Sequence, residues 1–318
     1  MYPVSKALKQ HWFLLIMVVL FFTVGVLVPN FLTLRNLLNV VRQSSIISLV
    51  AYGMTMVIIV KGIDLAVGGM MSCCAMISGL LMLQNWPVVL AVGVGLLVGI
   101  VMGAFNGMMV QKLEVPAFIT TLVVGQVAGG IALVLNNGRS IGGFPAGYVF
   151  IGNGSFLGIP ISNYITLVFV VFCTILMART RIGIYIYALG GNDMVVKQQG
   201  ISSARINYFV FAFSGFCAAV AGILLSAQLD TVHPTQGSNY QLDAVAACVI
   251  GGVNMAGGEG KIYMSLAGAL IIGFLRNALN LLGMHPFYQN IIVGVIIILI
   301  VAVSINGRQR ELERGRVF

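Results

Sequence analysis

Long apolar runs alternate with short polar breaks along the whole chain, and the breaks delimit ten predicted helices. Runs near 12–28, 46–60, 66–84, 87–110 and 117–135 give the first five, and runs near 164–178, 205–227, 242–255, 262–283 and 288–305 the rest. Crossing a bilayer takes about 20 apolar residues in a helix, and most of these runs approach that length. The 242–255 run is short and is expected to be tilted, broken or only partly spanning. Leu34 to Gln43 mixes apolar residues with Arg35, Asn36, Asn39 and Arg42. It is expected at the interface, or as the approach to the second helix. Lys6 and Lys9 precede the run from Trp12 to Val28 as in a signal peptide, but Leu27-Val28-Pro29 lacks the small residues of a cleavage site. That run is read as the first membrane helix.

Composition narrows the class. The 318 residues are 59% hydrophobic and 8% charged, with mean hydropathy +1.03. Soluble domains carry about 25% charged residues, so a soluble globule, a coiled coil and a disordered chain are excluded. The expected fold is an all-α polytopic membrane protein of about ten transmembrane helices, with residues 1–318 forming one transmembrane domain. The net charge of +9 does not indicate nucleic-acid binding, because the basic residues sit in the gaps between apolar runs. With both termini in the cytoplasm, thirteen basic residues fall on that side and only Arg35, Arg42 and Arg139 outside, with Arg276 in a helix. This satisfies the positive-inside rule. The largest cytoplasmic loop is then 179–204, and the largest external one is 136–163.

Gly95, Gly99, Gly103 and Gly107 place a glycine at every fourth position of one helix. Lipid supplies little drive for helix association, so small residues that let backbones approach mark packing faces. Ser214, Ala218, Gly222 and Ser226 form a milder stripe, as do Ser265, Ala269 and Gly273. Asn106, Gln126, Arg276, Asn277 and Asn280 are polar groups inside predicted spans and are expected to face a cavity or the bundle interior. Of these, Asn106, Gln126, Asn277 and Asn280 are the candidate lining of a solute path. Asp64 and Glu114 are expected in cytoplasmic turns beside Lys61 and Lys112. With no Asp, Glu or Lys well inside a span, a proton relay is disfavoured.

Catalytic signatures are absent. Gly258-Glu259-Gly260-Lys261 departs from a phosphate loop at Met255 and Ile262. His11, His233 and His285 have no metal-like pairing, and the five cysteines lie in apolar runs as small packing residues. No metal site and no cofactor are expected. Gly62-Ile63-Asp64-Leu65-Ala66 is echoed by Gly252-Val253-Asn254-Met255-Ala256, which fits either an internal repeat or chance among glycine-rich segments.

The loop at 179–204 has the sharpest local pattern. Arg179 to Gly183 closes the preceding helix, and Ala188 to Asp193 reads as a turn with Asn192 or Asp193 as N-cap. Met194 to Gln199 is a short amphipathic helix that stops at Gly200. So short a helix is marginal alone in water, and it is expected to dock on a partner or fold back on its own helices.

Four stretches, in order along the chain, resemble the permease subunits of bacterial ABC sugar importers of the ribose type, which are more distantly related to branched-chain amino-acid permeases. They are Gly62 to Gly68, Leu189 to Asn192 with Gly200-Ile201, Leu242 to Gly252, and Asn277 to Gly283. The resemblance implies a subunit of the bacterial inner membrane that moves a monosaccharide into the cytoplasm. It also implies a second permease copy or sister permease, two ABC ATPase subunits that bind ATP and Mg, and a periplasmic sugar-binding protein. The segment 190–201 is then the coupling helix on the ATPase, through Gly190, Gly191, Asn192, Asp193, Lys197 and Gly200. Ala66, Val195-Val196 and Val253-Asn254 depart from the residues usual in such relatives. An ion-gradient-driven secondary transporter of a small polar solute is the alternative. It would want midplane acids or broken-helix ion sites, which the sequence largely lacks.

Overall fold

The computed structural model describes residues 25, 28, 31–285 and 287–296. Among them are six helices long and apolar enough to cross a membrane: α1 (Leu34–Ile59), α3 (Val88–Lys112), α4 (Ala117–Leu135), α6 (Ile161–Arg179), α9 (Ser203–Leu229) and α11 (Ile262–Leu281). Three shorter apolar helices are α2 (Val67–Leu83), α10 (Tyr240–Ile250) and α12 (Phe287–Ile296). The remaining helices are α5 (Ala146–Asn153), α7 (Arg181–Gly191) and α8 (Asp193–Gln198). The predicted first helix near 12–28 lies almost wholly outside the described residues, as does the predicted helix near 288–305 beyond 296.

Several boundaries follow from local chemistry. Helices α3, α4, α5 and α6 each start directly after a proline (Pro87, Pro116, Pro145 and Pro160) held at φ between −50° and −57°. The ring fixes φ, and its missing N–H costs nothing at a helix start. Three expectations need correction. Leu34 to Gln43, expected at the interface or as the approach to the second helix, is the opening of that helix itself, because Thr33 and Asn36 start a helix that then runs unbroken to Ile59. Within it, Arg42 reaches the Asn153 side chain. The supposed external loop 136–163 contains α5, which seats Tyr148 and Gly152 against α9. Lastly, 181–191 is the amphipathic helix α7, where a turn was expected from Ala188 onward.

The described chain divides into two compact units, 42–269 and 1–41 with 270–318. In the larger unit α2 is central, with most of its length buried and α3, α4 and α9 packed around it. The most extensive packing is between α3 and α9. Gly99 lies against Gly215 and Ala219, while Gly107 lies against the Asn207 carbonyl. At Gly103 a Cβ would collide with the Phe211 carbonyl oxygen and stand 2.9 Å from Ala212 Cα. Gly95 of the same stripe turns to Cys74 and Ser78 of α2. A two-residue pairing, Ile141–Gly142 (β1) with Thr231–Val232 (β4), joins the segment before α5 to the end of α9, while Ser155–Phe156 (β2) pairs with Ile159–Pro160 (β3).

The two echoing stretches fold alike. After α1, Lys61 takes φ 65° and the Gly62 N–H reaches back to the Val57 carbonyl; after α10, Gly252 takes φ 78° and the Val253 N–H reaches the Cys248 carbonyl. Both are left-handed helix ends that satisfy terminal carbonyls. Each then makes the same side-chain turn: Asp64 Oδ1 accepts from Ala66 N at 3.0 Å, and Asn254 Oδ1 from Ala256 N at 3.0 Å.

In the smaller unit, Asn36 and Asn277 exchange two amide hydrogen bonds of 2.9 and 3.0 Å. Phe31 meets Phe274 edge to face at 4.8 Å beside them, and Val28, Val40 and Ala278 complete a small apolar cluster.

The glycine contacts give a sharp contrast within one helix. Gly103→Ala should lower the melting temperature of the detergent-solubilised protein, with an overpacking cost of about 1–3 kcal/mol. Gly93 has open space where its Cβ would go, so Gly93→Ala should be neutral or raise stability by up to about 1 kcal/mol.

Candidate coupling and solute-path site

The coupling candidate starts at a bend. Asn192 is extended (φ −155°, ψ 107°), and its Oδ1 accepts from Met194 N at 3.0 Å and Val195 N at 3.4 Å. It therefore caps α8. Gly200, at φ 72°, closes the other end as the Ile201 N–H reaches the Val196 carbonyl. Between the caps, Val196 is buried, whereas Met194 and Val195 are 71% and 50% exposed. The segment 190–201 is thus not one helix. Gly190 and Gly191 end α7, and α8 is a separate single-turn unit after the bend.

Asp193 braces α8. Its carboxylate lies 2.6 Å from Lys197 Nζ and accepts a 2.6 Å hydrogen bond from Ser203 Oγ at the start of α9. These bonds, with Lys197 first, hold the carboxyl below its ordinary range, and the same contact raises the Lys197 ammonium. Both side chains are largely exposed, so the pair orients the helix rather than stabilising the fold.

A platform beneath α8 escaped the sequence reading. At Gly190 a Cβ would collide with the Ile59 carbonyl oxygen and lie 2.6 Å from Gly258 N, while at Gly191 it would meet open space. Gly258 N–H itself donates to the Ile59 carbonyl at 2.8 Å, and Tyr187 donates to the Gly260 carbonyl at 2.6 Å. The segment resembling a phosphate loop is therefore the seat of α7. Asn254 holds that loop closed through the Gly257 carbonyl and Glu259. The readable signal was the pairing of Gly190 with Gly257-Gly258, since only glycines let these backbones approach so closely.

The four candidate path amides divide between the units, Asn106 and Gln126 in the larger and Asn277 and Asn280 in the smaller. Asn106 on α3 is fully buried, and neither of its amide atoms has a hydrogen-bond partner among the described residues. Gln126 lies on the exposed side of α4. Asn277 is closed into its pair with Asn36, and Asn280 Oδ1 accepts from Gln289 Nε2 at 2.7 Å. Arg276 reaches Asn290 at 3.3 Å.

Asp64 is the largest departure from expectation. Rather than pairing with Lys61 in a solvated turn, it is wholly buried, and its Oδ2 accepts from Ser214 Oγ of α9 at 2.7 Å. The left-handed turn at Lys61 points the following residues inward, where Oδ1 meets the N–H that leads into α2. Burial pushes the Asp64 carboxyl up to about 6, opposed by the hydrogen bonds from Ser214 and the Ala66 N–H, which favour the charged form. Leu65 N and the Ile63 carbonyl are both satisfied at 3.0 Å by Thr121 Oγ1 of α4, so the whole Gly62–Ala66 stretch is bound to the bundle. No group of three metal-ligating side chains occurs among the described residues, and the five cysteines are buried and unbridged.

Comparison with known proteins gives consistent relatives. Residues 36–301 match the family described as branched-chain amino acid transport system / permease component. The ribose import permease protein of Haemophilus influenzae is 38% identical over 94% of each chain. That of Escherichia coli K12 is 39% identical over 95% of each, and the D-allose transport system permease protein of the same organism is 36% identical over 92% of this chain and 90% of its own. No solved structure matches the chain.

The Asp193 brace sets a pH test with a definite sign. Its depressed carboxyl contributes above the ordinary carboxylate value of about 4, and the contribution is lost as pH falls through the lower folded value. Amide hydrogen exchange across 193–199, corrected for intrinsic rates, should lose protection between pH 6 and pH 3. Asp193→Asn should abolish that difference, and Asn192→Ala should cost the segment about 1 kcal/mol of protection at either pH.

Proposed function

The chain belongs to the branched-chain amino acid transport system / permease component family, and we propose that it is the transmembrane permease subunit of an ATP-driven ABC importer for a ribose-like monosaccharide. The chain itself carries transport and not catalysis. Separate ATPase subunits hydrolyse ATP, and a periplasmic binding protein delivers the sugar to the outer face. The complex contains a second permease copy or a sister permease, and residues 1–318 act as one permease domain of ten crossings in the bacterial inner membrane, with both termini cytoplasmic.

The observation that carries this reading is α8. Two exposed apolar side chains, Met194 and Val195, stand on a helix capped at both ends and fixed to a backbone platform. In water such a helix gains nothing from displaying them, whereas a groove on an ATPase that buried them would gain roughly 1.5–3 kcal/mol for each. Closure of the ATPases on ATP would then push the platform, and through α7 and α9 switch the transmembrane helices between inward- and outward-open arrangements. Because the binding protein selects the sugar, the permease needs only transient polar contacts. Asn106, with neither amide atom bonded among the described residues, fits that role best. Gln126, Asn277 and Asn280 serve as secondary lining or as supports.

The test is purification of the tagged chain from native membranes. An ATPase subunit should co-purify, and Met194→Asp with Val195→Asp should lower its recovery at least tenfold while leaving the permease folded. Recovery of the chain alone, with solute uptake into liposomes driven by an ion gradient and no ATP, would overturn the proposal in favour of a secondary transporter.

A further inference from the structure

A cavity of about 290 Å³ lies where α7 meets the turn between α8 and α9. Ile182 and Tyr185 of α7 form one wall, Ile201 and Ile206 the other, and Ser202 and Arg205 stand on the opening turn of α9. Its chemistry is divided. Four apolar or aromatic side chains make a slot, and a single guanidinium stands at one side of it. Arg205 is exposed, and its side chain makes no hydrogen bond or ion pair among the described residues. Ser202 Oγ accepts from Arg205 N at 3.4 Å, so its own O–H remains free to donate. The slot thus offers a cation and a hydroxyl donor at one place with apolar walls beside them.

The surroundings indicate which medium fills it. Along α7, Gly183, Ile186 and Leu189 face inward, while Arg181, Ile184 and Ala188 face outward, Ile184 being 60% exposed. An outward face of arginine, isoleucine and alanine next to the end of the spanning helix α6 suits a helix lying in the headgroup plane. Tyr185 at the cavity wall adds the amphipathic ring typical of that depth. Arg179 and Arg181 extend the positive field across the same edge. Basic pockets beside spanning helices on the cytoplasmic side take lipid phosphates.

We propose that the cavity between α7 and the start of α9 is a binding site for an anionic phospholipid, its phosphate on Arg205 and Ser202 and the top of an acyl chain along Ile182, Ile201 and Ile206. A free phosphate would use the guanidinium but leave the apolar slot without an occupant, and a zwitterionic lipid would bring a second cation to Arg205. The site requires only that the chain lie in a membrane, so it stands or falls separately from the importer reading.

The experiment uses the full-length chain, purified and delipidated in detergent, with unfolding followed by a thiol-reactive dye that reports release of the buried cysteines. Phosphatidylglycerol should raise the melting temperature saturably, while phosphatidylcholine and inorganic phosphate at matched concentrations should not. Arg205→Gln should raise the half-saturating phosphatidylglycerol concentration about tenfold. Ile201→Glu, which sets a carboxylate at the slot while leaving Arg205 in place, should do the same, and Arg139→Gln should leave it unchanged. Equal stabilisation by phosphatidylcholine, stabilisation by inorganic phosphate alone, or an unaltered titration in both cavity variants would overturn the proposal. So would a loss of ATPase binding in Arg205→Gln with lipid titration intact, which would assign the guanidinium to a protein interface.

Discussion

Backbone contact between α3 and α9 is the constraint on which the larger unit depends. In a hydrocarbon solvent apolar side chains gain little by leaving lipid, so association relies on dispersion at short range and on satisfied polar groups. Gly99, Gly103 and Gly107 bring α3 to the carbonyls of α9, and α9 spends its opposite side on α2, where Gly222 meets Met71. Once these three helices are fixed, the position of Asp64 follows. Ser214 stands on the same buried helix that receives the glycines, and its hydroxyl is where the carboxylate must go. The sequence of dependence runs from small residues to backbone proximity, and from there to the burial of a charge.

The end of the larger unit that carries α8 is organised by a second use of the same device. Gly190 and Gly258 converge on the Ile59 carbonyl, the last of α1, and turn an otherwise unsatisfied helix end into a three-way junction. The junction fixes α7, α7 fixes the bend at Asn192, and the bend aims α8 outward. A short helix that could not persist alone is held by its neighbours in one orientation.

Much of this was legible from the order of residues. The runs at 66–84, 87–110 and 117–135 match α2, α3 and α4 closely, because hydropathy and flanking prolines both mark their ends. The cap at Asn192 and the stop at Gly200 were readable for the same reason: capping is local chemistry. What escaped was non-local. Asp64 was expected in a turn beside Lys61 because the two are neighbours in sequence, and nothing local reveals that Ser214 lies 150 residues away in the chain but 2.7 Å away in space. Helix α7 was masked by its two terminal glycines, which read as a turn but serve a backbone contact. Helix α5 was masked by the Gly, Asn and Ser around it. Amides posed the converse problem: the type of residue indicated polarity within a span, but not that Asn277 had a dedicated partner while Asn106 had none among the described residues.

The paired amides of Asn36 and Asn277 act as a key between two helices. Their two hydrogen bonds run in opposite directions, so both are made or both are lost. A slide of one residue moves a helical side chain by 1.5 Å along the axis and about 100° around it, enough to open the pair completely and strand the Asn36 amide oxygen and both polar atoms of Asn277 in an apolar cluster, with Asn36 Nδ2 still held by the Phe31 carbonyl. Intermediate registers are therefore forbidden by chemistry, although the apolar neighbours Phe31 and Phe274 would tolerate them. The first turn of α1 and the second half of α11 must travel as one rigid lever through any transport cycle.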